Sequence, residues 1–498
     1  MNWHSAILPL VVASSLVPGL IIFFLPERQR PLRTLLNLMG AISKLVFVGI
    51  LIWGVAQQQQ FETRLPLLPD FELVLTAGPL SLLFVTLSAA LWLVTTIYAI
   101  GYLEGSPHRS RFFGFFGLCV TATVGVALAG NLLTFILFYE MLTLSTYPLV
   151  IHKGTEKARK VGQTYLIYTL SGGALLLLGS IWLHHLTGTL EFTPRGFVES
   201  LPDKHDSQLV MIFILLIAGL GVKAALVPLH SWLPKAMVAP APVSALLHAV
   251  AVVKAGAFGI IRVIYEVFGV EFASALGVAK PLAGLAAFTI IYGSLLALFQ
   301  EDLKRRLAYS TISQISYIVL GVAIAGPLAS IGGLVHLVHQ GIMKITLFFS
   351  AGIFAKTLGI HKVSEMDGLG RRMPLTMTAF TLAALGMIGV PPFAGFISKW
   401  YLATGALDTD QNWMAYVLSV SSLLNAAYFL PILNRAWFRN PPPERLSREQ
   451  TVNTEGTAWT LLLPTLFTAL VSLLVGLMAW APFSPLEWAR FVVRQEFY

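Results

Sequence analysis

The 498-residue sequence contains few charged residues and a single cysteine. Asp, Glu, Lys and Arg make up 11% of the chain, far below the value of about 25% that is typical of a soluble globular domain. Cys119 stands alone in an apolar run, which excludes an internal disulfide and a cysteine-ligated cluster. Hydrophobic residues make up 56% of the chain. These values predict an all-α polytopic membrane protein.

Motifs for cofactor and metal chemistry are also missing. The sequence contains no HExxH pair, no glycine-rich nucleotide-binding loop and no nucleophile elbow. Glu140 is the one carboxylate expected at membrane depth, whereas a dedicated Na⁺ site would need several oxygen ligands there. We therefore expect neither a cofactor nor a bound metal, and the chemistry that remains is proton movement.

Apolar runs that are long enough to cross a bilayer, about 20 residues each, follow one another along the chain. They predict about fourteen membrane-spanning helices, near residues 6–25, 33–56, 76–99, 112–129, 131–151, 163–184, 208–237, 241–267, 281–299, 307–325, 328–357, 374–406, 412–433 and 457–481. The first run lacks the basic start of a secretory signal, so we expect it to be retained as a helix. No linker or soluble domain interrupts the series.

The basic residues lie mainly in alternate loops. Loops that follow odd-numbered helices carry about twenty Lys and Arg, whereas the other loops and the C-terminal tail carry about six or seven. The positive-inside rule then predicts that both termini lie outside the cytoplasm. We interpret the net charge of +9 as a topology signal of a multi-pass protein of the cell inner (plasma) membrane, not as a sign of nucleic-acid binding.

Two of the predicted helices are interrupted by proline. Helix seven contains Pro228 and Pro234 with Lys223 just before them, and helix twelve contains GVPPFAGF with Lys399 just after it. Because the breaks are five helices apart, the two units that contain them would cross the membrane in opposite directions. Paired broken helices indicate an inverted repeat and its ion path. A packing kink is the alternative for either break alone.

Charged and polar residues at membrane depth mark the candidate site. Glu140 lies about 13 Å from the external end of helix five, with Thr143 and Tyr147 on the same stripe. Helices seven and eight add four basic residues beside the break: Lys223, His230, His248 and Lys254. Because a lysine at the bilayer centre costs about 2.5–3.5 kcal/mol, we expect these groups to have a function. A static ion pair or side chains that snorkel to the interface are the alternatives.

Two further helices carry polar stripes. Helix ten places four polar side chains on one face: Ser310, Ser313, Gln314 and Tyr317. Helix eleven places three on a similar stripe, with one histidine beside it: His336, Gln340 and Lys344, then His339. Histidine titrates nearest to physiological pH and is suited to relay protons between two lysines. A helix interface held by hydroxyl groups is the alternative for helix ten.

Several segments together resemble a known family. They are Glu140 in a fifth helix, GVKAALVPLHSWLPKAM followed by APAPVSALLHAVAVVKAG, EDLKRRLAYSTISQISYIVLG, LVHQGIMKITLFFSAG and GVPPFAGFISKWYL. Over roughly residues 76–440 the chain resembles the antiporter-like membrane subunits shared by respiratory complex I, Mrp-type cation/proton antiporters and membrane-bound hydrogenases. Lys399, rather than a glutamate at that position, resembles some complex I members and the D-type member of the Mrp complex.

The resemblance implies a core of two inverted five-helix repeats that contain the broken helices seven and twelve. The regions would then be 1–110 for helices one to three, 111–267 for the first repeat, 281–437 for the second, and 457–498 for the last helix and an external tail. In the family's scheme Glu140 pairs with Lys223, Lys254 and the helix-eleven histidines form a central hydrophilic axis, and Lys399 lies at the exit.

The function implied is proton translocation by one subunit of a multisubunit membrane complex. A monovalent cation (Na⁺)/proton antiporter of Mrp type is the first interpretation, and the pumping arm of a complex I-like NADH-quinone oxidoreductase or of a membrane-bound hydrogenase is the alternative. Redox work would lie in partner subunits, because this chain has no cofactor motif. A scaffold that has lost transport is disfavoured, since membrane charges without a function are costly.

Overall fold

The computed structural model describes residues 3–68, 71–201, 205–441 and 457–497. The first half contains, in chain order, α1 (Trp3–Phe23), α2 (Arg30–Ala56), β1 (Glu62–Leu68), β2 (Phe71–Thr76), α3 (Pro79–Tyr102), α4 (Arg109–Leu128), α5 (Leu132–Val150), α6 (Glu156–Thr187), α7 (Asp206–Ala224), α8 (Trp232–Lys235), α9 (Ala241–Ala249), α10 (Val252–Arg262) and α11 (Val270–Ala275). A π-helix, Val263–Phe268, continues α10.

The second half contains α12 (Ala279–Leu298), α13 (Leu303–Ala323), α14 (Pro327–Leu358), α15 (Leu369–Arg372), α16 (Pro374–Ile388), α17 (Ala394–Asp408), α18 (Asn412–Phe438), α19 (Trp459–Leu477) and α20 (Pro485–Phe497). Part of the last basic loop predicted from the sequence, residues 442–449, lies outside the described residues.

The polytopic helical fold is confirmed. Among the described residues, twelve helical segments are long and apolar enough to cross a membrane. The other two predicted spans are also helical. The first is α13, in which polar residues alternate with apolar ones, and the second is the pair of short helices α16 and α17.

The expected helix breaks are present in both places. After α7 the chain turns at Ala225, which has a left-handed φ of +56°, and after α16 it turns at Gly389, with a φ of +94°. Pro228 and Pro392 each follow three residues later, and the peptide bond before each of them is cis. Since a proline removes a backbone donor and its ring obstructs the preceding turn, a helix cannot continue through these segments unchanged.

A third interruption was not predicted. The sequence predicts one continuous helix over 241–267, but α9 ends at Ala249 and α10 begins at Val252. Neither glycine nor proline marks this break, so the usual local signals are lacking. The break is held by surrounding structure, because every residue of α9 and α10 is buried.

Two smaller elements also differ from the expectation of helices and loops alone. β1 and β2 form an antiparallel hairpin between α2 and α3. Arg64 on the hairpin bonds to Glu191 at 2.6 Å, which lowers the pKa of that exposed carboxyl. The segment predicted as an external tail contains α20, whose Trp488 donates a hydrogen bond to the Pro79 carbonyl at 2.9 Å.

The centre of the bundle is formed by α14 and the α9–α10 segment. Both are fully buried over their most apolar stretches. Helix α14 contacts α3, α9, α13, α16, α17, α19 and α20. A side chain on α14 is therefore separated from lipid by a complete layer of helices, so any charge it carries must be satisfied by protein or by water.

Candidate functional site: a buried basic band

The first part of the site is built by α5, α6 and α7. Lys223 lies in the last turn of α7 and is fully buried. Its Nζ donates to the Tyr139 carbonyl and lies 3.3 Å from the centroid of the Tyr139 ring. The helix break after Ala224 places this ammonium at a helix C-terminus, where the backbone dipole favours a cation.

Glu140, the neighbour of Tyr139, has a different environment. Both of its carboxylate oxygens are buried, and neither has a hydrogen-bond partner among the described residues. No ion pair within 4.0 Å joins it to Lys223 in that part of the chain. The structure thus brings the two residues of the predicted pair to one place, through Tyr139, without direct contact between their charges.

Glycine on α6 makes room for this carboxylate. A Cβ built on Gly173 would lie 2.2 Å from Glu140 Oε1 and 2.6 Å from its Cδ. The helix backbone therefore forms the wall of the carboxylate site. No other residue type fits at position 173 unless Glu140 moves.

Lys254 lies on α10, two residues after the unpredicted break. It is fully buried, and its Nζ donates to the Leu337 carbonyl on α14. The start of a helix is the unfavourable end for a cation, so this carbonyl, rather than the dipole of α10, stabilises the ammonium. The interruption thus places Lys254 directly against the central helix.

Helix α14 continues the band. His336 is hydrogen-bonded through Nδ1 to Ser398 Oγ at 2.8 Å, and its ring stacks on Tyr317 with centroids 5.2 Å apart. Its Nε2 has no partner among the described residues, and the same is true of both ring nitrogens of His339. His336 is therefore linked to α13 and α17, whereas His339 is held by packing alone.

Lys344 is satisfied by α13. Its Nζ donates to the Ser310 hydroxyl at 2.6 Å and to the Leu307 carbonyl at 3.1 Å. His248 on α9 stacks on Phe348, and neither of its ring nitrogens has a partner among the described residues. Lys344 thus has the single polar neighbour that the helix-ten stripe predicted.

Lys399 lies at the second break. Its Nζ donates to the carbonyls of Met387 and Ile388, at 3.0 and 2.8 Å, and to Ser422 Oγ at 3.2 Å. Those carbonyls end α16 and have no partner further along their own helix. The break therefore creates the acceptors that hold this lysine, and Tyr317 presents its ring 5.5 Å away.

The remaining candidates are divided between the band and its edge. The Gln314 and Gln340 amides are buried without partners among the described residues and lie on the two helices that line the band. Ser313 instead bonds to Ser294 at 2.9 Å, as a helix interface would. His230 lies in the turn before α8, where its ring contacts Tyr292 edge-on.

Three buried polar groups of the structure were not among the predicted candidates. Asn425 and Tyr428 on α18 bond to each other beside Lys399, one turn apart. Lys44 on α2 is fully buried, donates to Ser15 Oγ at 2.6 Å and lies 4.9 Å from the centroid of the Trp92 ring. A lysine within an apolar run was a visible signal for Lys44, whereas Asn425 and Tyr428 resemble ordinary polar residues of a spanning helix.

Residues 129–425 match the family model described as "NADH:quinone oxidoreductase/Mrp antiporter, TM". The chain belongs to this family. It is 36% identical over 401 residues, 80% of this chain and 79% of the relative, to the protein named NADH-quinone oxidoreductase subunit N from Desulforudis audaxviator. It is 30% identical, over 92% of this chain, to a protein of Rhizobium meliloti named as part of a probable K⁺/H⁺ antiporter, of which it spans 46%.

A solved structure supports the same fold. A chain in the structure of the Mrp complex from a Dietzia species superposes with a TM-score of 0.87, and the match covers 100% of this chain and 98% of that one. The two sequences are 22% identical, so the likeness bears on the fold. The family prediction made from the motifs is confirmed, whereas the D-type branch stays a prediction.

Proposed function

We propose that this family member is a proton-translocating subunit of a multisubunit membrane complex. The observation that carries the proposal is a band of four deeply buried lysines with no carboxylate within 4.0 Å among the described residues: Lys223, Lys254, Lys344 and Lys399. Each donates to protein oxygens instead. Buried amines without a counter-ion are too costly to be retained as structural elements.

The geometry supports a path in two parts. In the first, Glu140 and Lys223 share Tyr139 as a neighbour and can form or release an ion pair by side-chain rotation. In the second, Lys344 and Lys399 lie on either side of α13 and α18, and Lys254 with the α14 histidines stands between the two parts. We propose that protons move along this band, and that the two broken segments belong to inverted repeats over 111–267 and 281–437.

A monovalent cation/proton antiporter of Mrp type is the first candidate for the complex, because Lys399 fits that branch and relatives named as antiporter subunits match most of this chain. A proton-pumping arm of a quinone oxidoreductase is the second candidate, favoured by the 36% identity to a subunit N over most of both chains. The proposed location is the plasma membrane, with other membrane subunits as partners and both termini outside the cytoplasm.

The test is proton flux in vesicles that contain the purified complex. Glu140→Gln and Lys223→Ala should each abolish coupled proton movement while the complex still assembles, and Lys223→Arg should impair it because arginine does not release its proton. The matched controls are Glu271→Gln and Lys280→Ala, both on the exposed surface. Parent-like coupling in either site variant would refute the proposal. The co-purifying subunits distinguish the candidates, since flavin or iron–sulfur proteins would indicate the redox arm.

A further inference from the structure

A row of hydrogen bonds joins the two lysines of the second half. The row consists, in order, of Lys344, Ser310, Tyr428, Asn425, the Met387 carbonyl and Lys399. Tyr428 Oη lies 3.1 Å from Ser310 Oγ, and the Asn425 amide nitrogen lies 3.3 Å from the Met387 oxygen. All of these residues except Lys399, which is 8% exposed, are completely buried.

The direction of these bonds depends on Lys344. A protonated lysine can only donate, so the Ser310 oxygen accepts from it and the Ser310 hydrogen turns to Tyr428. Tyr428 then donates to the Asn425 carbonyl oxygen, and the Asn425 amide group donates to Met387. Every hydrogen bond in the row points away from Lys344 and toward the carbonyl that also holds Lys399.

A neutral Lys344 reverses the first two bonds. Its nitrogen can then accept a hydrogen bond, so the Ser310 hydroxyl can turn back and Tyr428 can donate to Ser310. The Asn425 oxygen loses its donor, and the amide is less strongly polarised toward Met387, because hydrogen bonds in a chain strengthen one another. The Met387 carbonyl then becomes a better acceptor for Lys399.

The row cannot itself conduct a proton from one lysine to the other. Asn425 and the Met387 carbonyl have no group that titrates near neutral pH, so a hop through them has no accessible intermediate. What passes along the row is the orientation of hydrogen bonds. We propose that Tyr428 and Asn425 are positioning residues that couple the protonation state of Lys344 to the hydrogen bonding of Lys399.

This inference rests on the proposed function and deepens it. Other titratable groups face the row and must be held constant in any test: His248 on α9 and Arg306 on α13 near Lys344 and Tyr428, and Tyr317 and His336 near Lys399. Helix α19, which packs on α14, α16 and α17, contains no charged residue. None of these neighbouring groups is changed in the variants below.

The first experiment measures the pH midpoint of proton flux in vesicles with the assembled complex. Tyr428→Phe keeps the ring and should retain flux with the midpoint moved to higher pH by about half a unit, a fraction of one hydrogen bond at 1.36 kcal/mol per unit. Ser310→Ala should give the same shift, and the double variant should shift no further. Tyr98→Phe is the control, because it removes a buried hydroxyl that bonds at 2.9 Å to a backbone carbonyl outside the row.

An unchanged midpoint in Tyr428→Phe, additive shifts in the double variant, or an equal shift in the control would each overturn the proposal. A second experiment does not depend on transport. With ring-labelled tyrosine, the infrared difference spectrum between high and low pH should show a tyrosine C–O band that disappears in Tyr428→Phe and in Lys344→Met. A band that persists in Lys344→Met overturns the coupling even if no form of the complex moves protons.

Discussion

Replacing Gly173 with alanine is expected to move the Glu140 carboxylate and leave the fold intact. The new Cβ would lie 2.2 Å from Oε1, so the carboxylate would have to retreat by about 1.2 Å to reach an ordinary contact of 3.4 Å. The atoms it meets are the end of a flexible side chain, which can rotate. Alanine is also favoured over glycine within a helix by about 1 kcal/mol, so helix α6 should not be weakened.

The expected loss of function follows from that displacement. A shift of about 1 Å in a reacting group can cost a factor of about 100 in rate. We therefore expect proton flux in vesicles to fall by about ten- to one-hundredfold, with parent-like assembly and thermal stability of the complex.

The matched control is Gly284→Ala on α12. Its Cβ would meet no atom within 4 Å, and the backbone change is the same. Gly172→Ala is a useful contrast, because its Cβ would lie 2.9 Å from the Gly219 carbonyl and should disturb the packing of α6 on α7. If flux in Gly173→Ala stays within about twofold of Gly284→Ala, the position of the Glu140 carboxylate does not matter for transport and the argument fails.

Three further expectations concern single residues. Lys399→Ala should abolish proton flux, whereas Lys399→Glu should retain part of it with a shifted pH optimum, because a carboxylate titrates in a different range; parent-like flux in the alanine variant would place the exit elsewhere. His339→Ala should slow flux more than His336→Ala, and equal near-normal rates would exclude both from the path. Burial and the nearby Glu266 raise the pKa of Glu496 to about 7, so the folded state binds this proton more tightly than the unfolded one and loses stability as pH rises from about 4.5 to 7. Glu496→Gln should therefore raise the thermal midpoint at pH 8 but not at pH 5, and equal midpoints at pH 8 would contradict this.

The helical spans and two of the three breaks could be predicted from the sequence, because their causes act within a few residues. Hydropathy over about 20 residues determines whether a segment can cross a bilayer. Pro228 and Pro392 prevent helix continuation through backbone geometry alone. The placement of Glu140 and the lysines at depth follows from their positions within those spans.

What these residues contact was decided by the tertiary structure. Lys254 donates to a carbonyl 83 positions away, and Tyr428 bonds to a serine 118 positions away. Such partners depend on which helices become neighbours and on the rotation of each helix about its axis, and hydropathy does not determine either. The break between α9 and α10 has the same origin, since Val250 and Ala251 have no local signal for it and are completely buried by the surrounding helices.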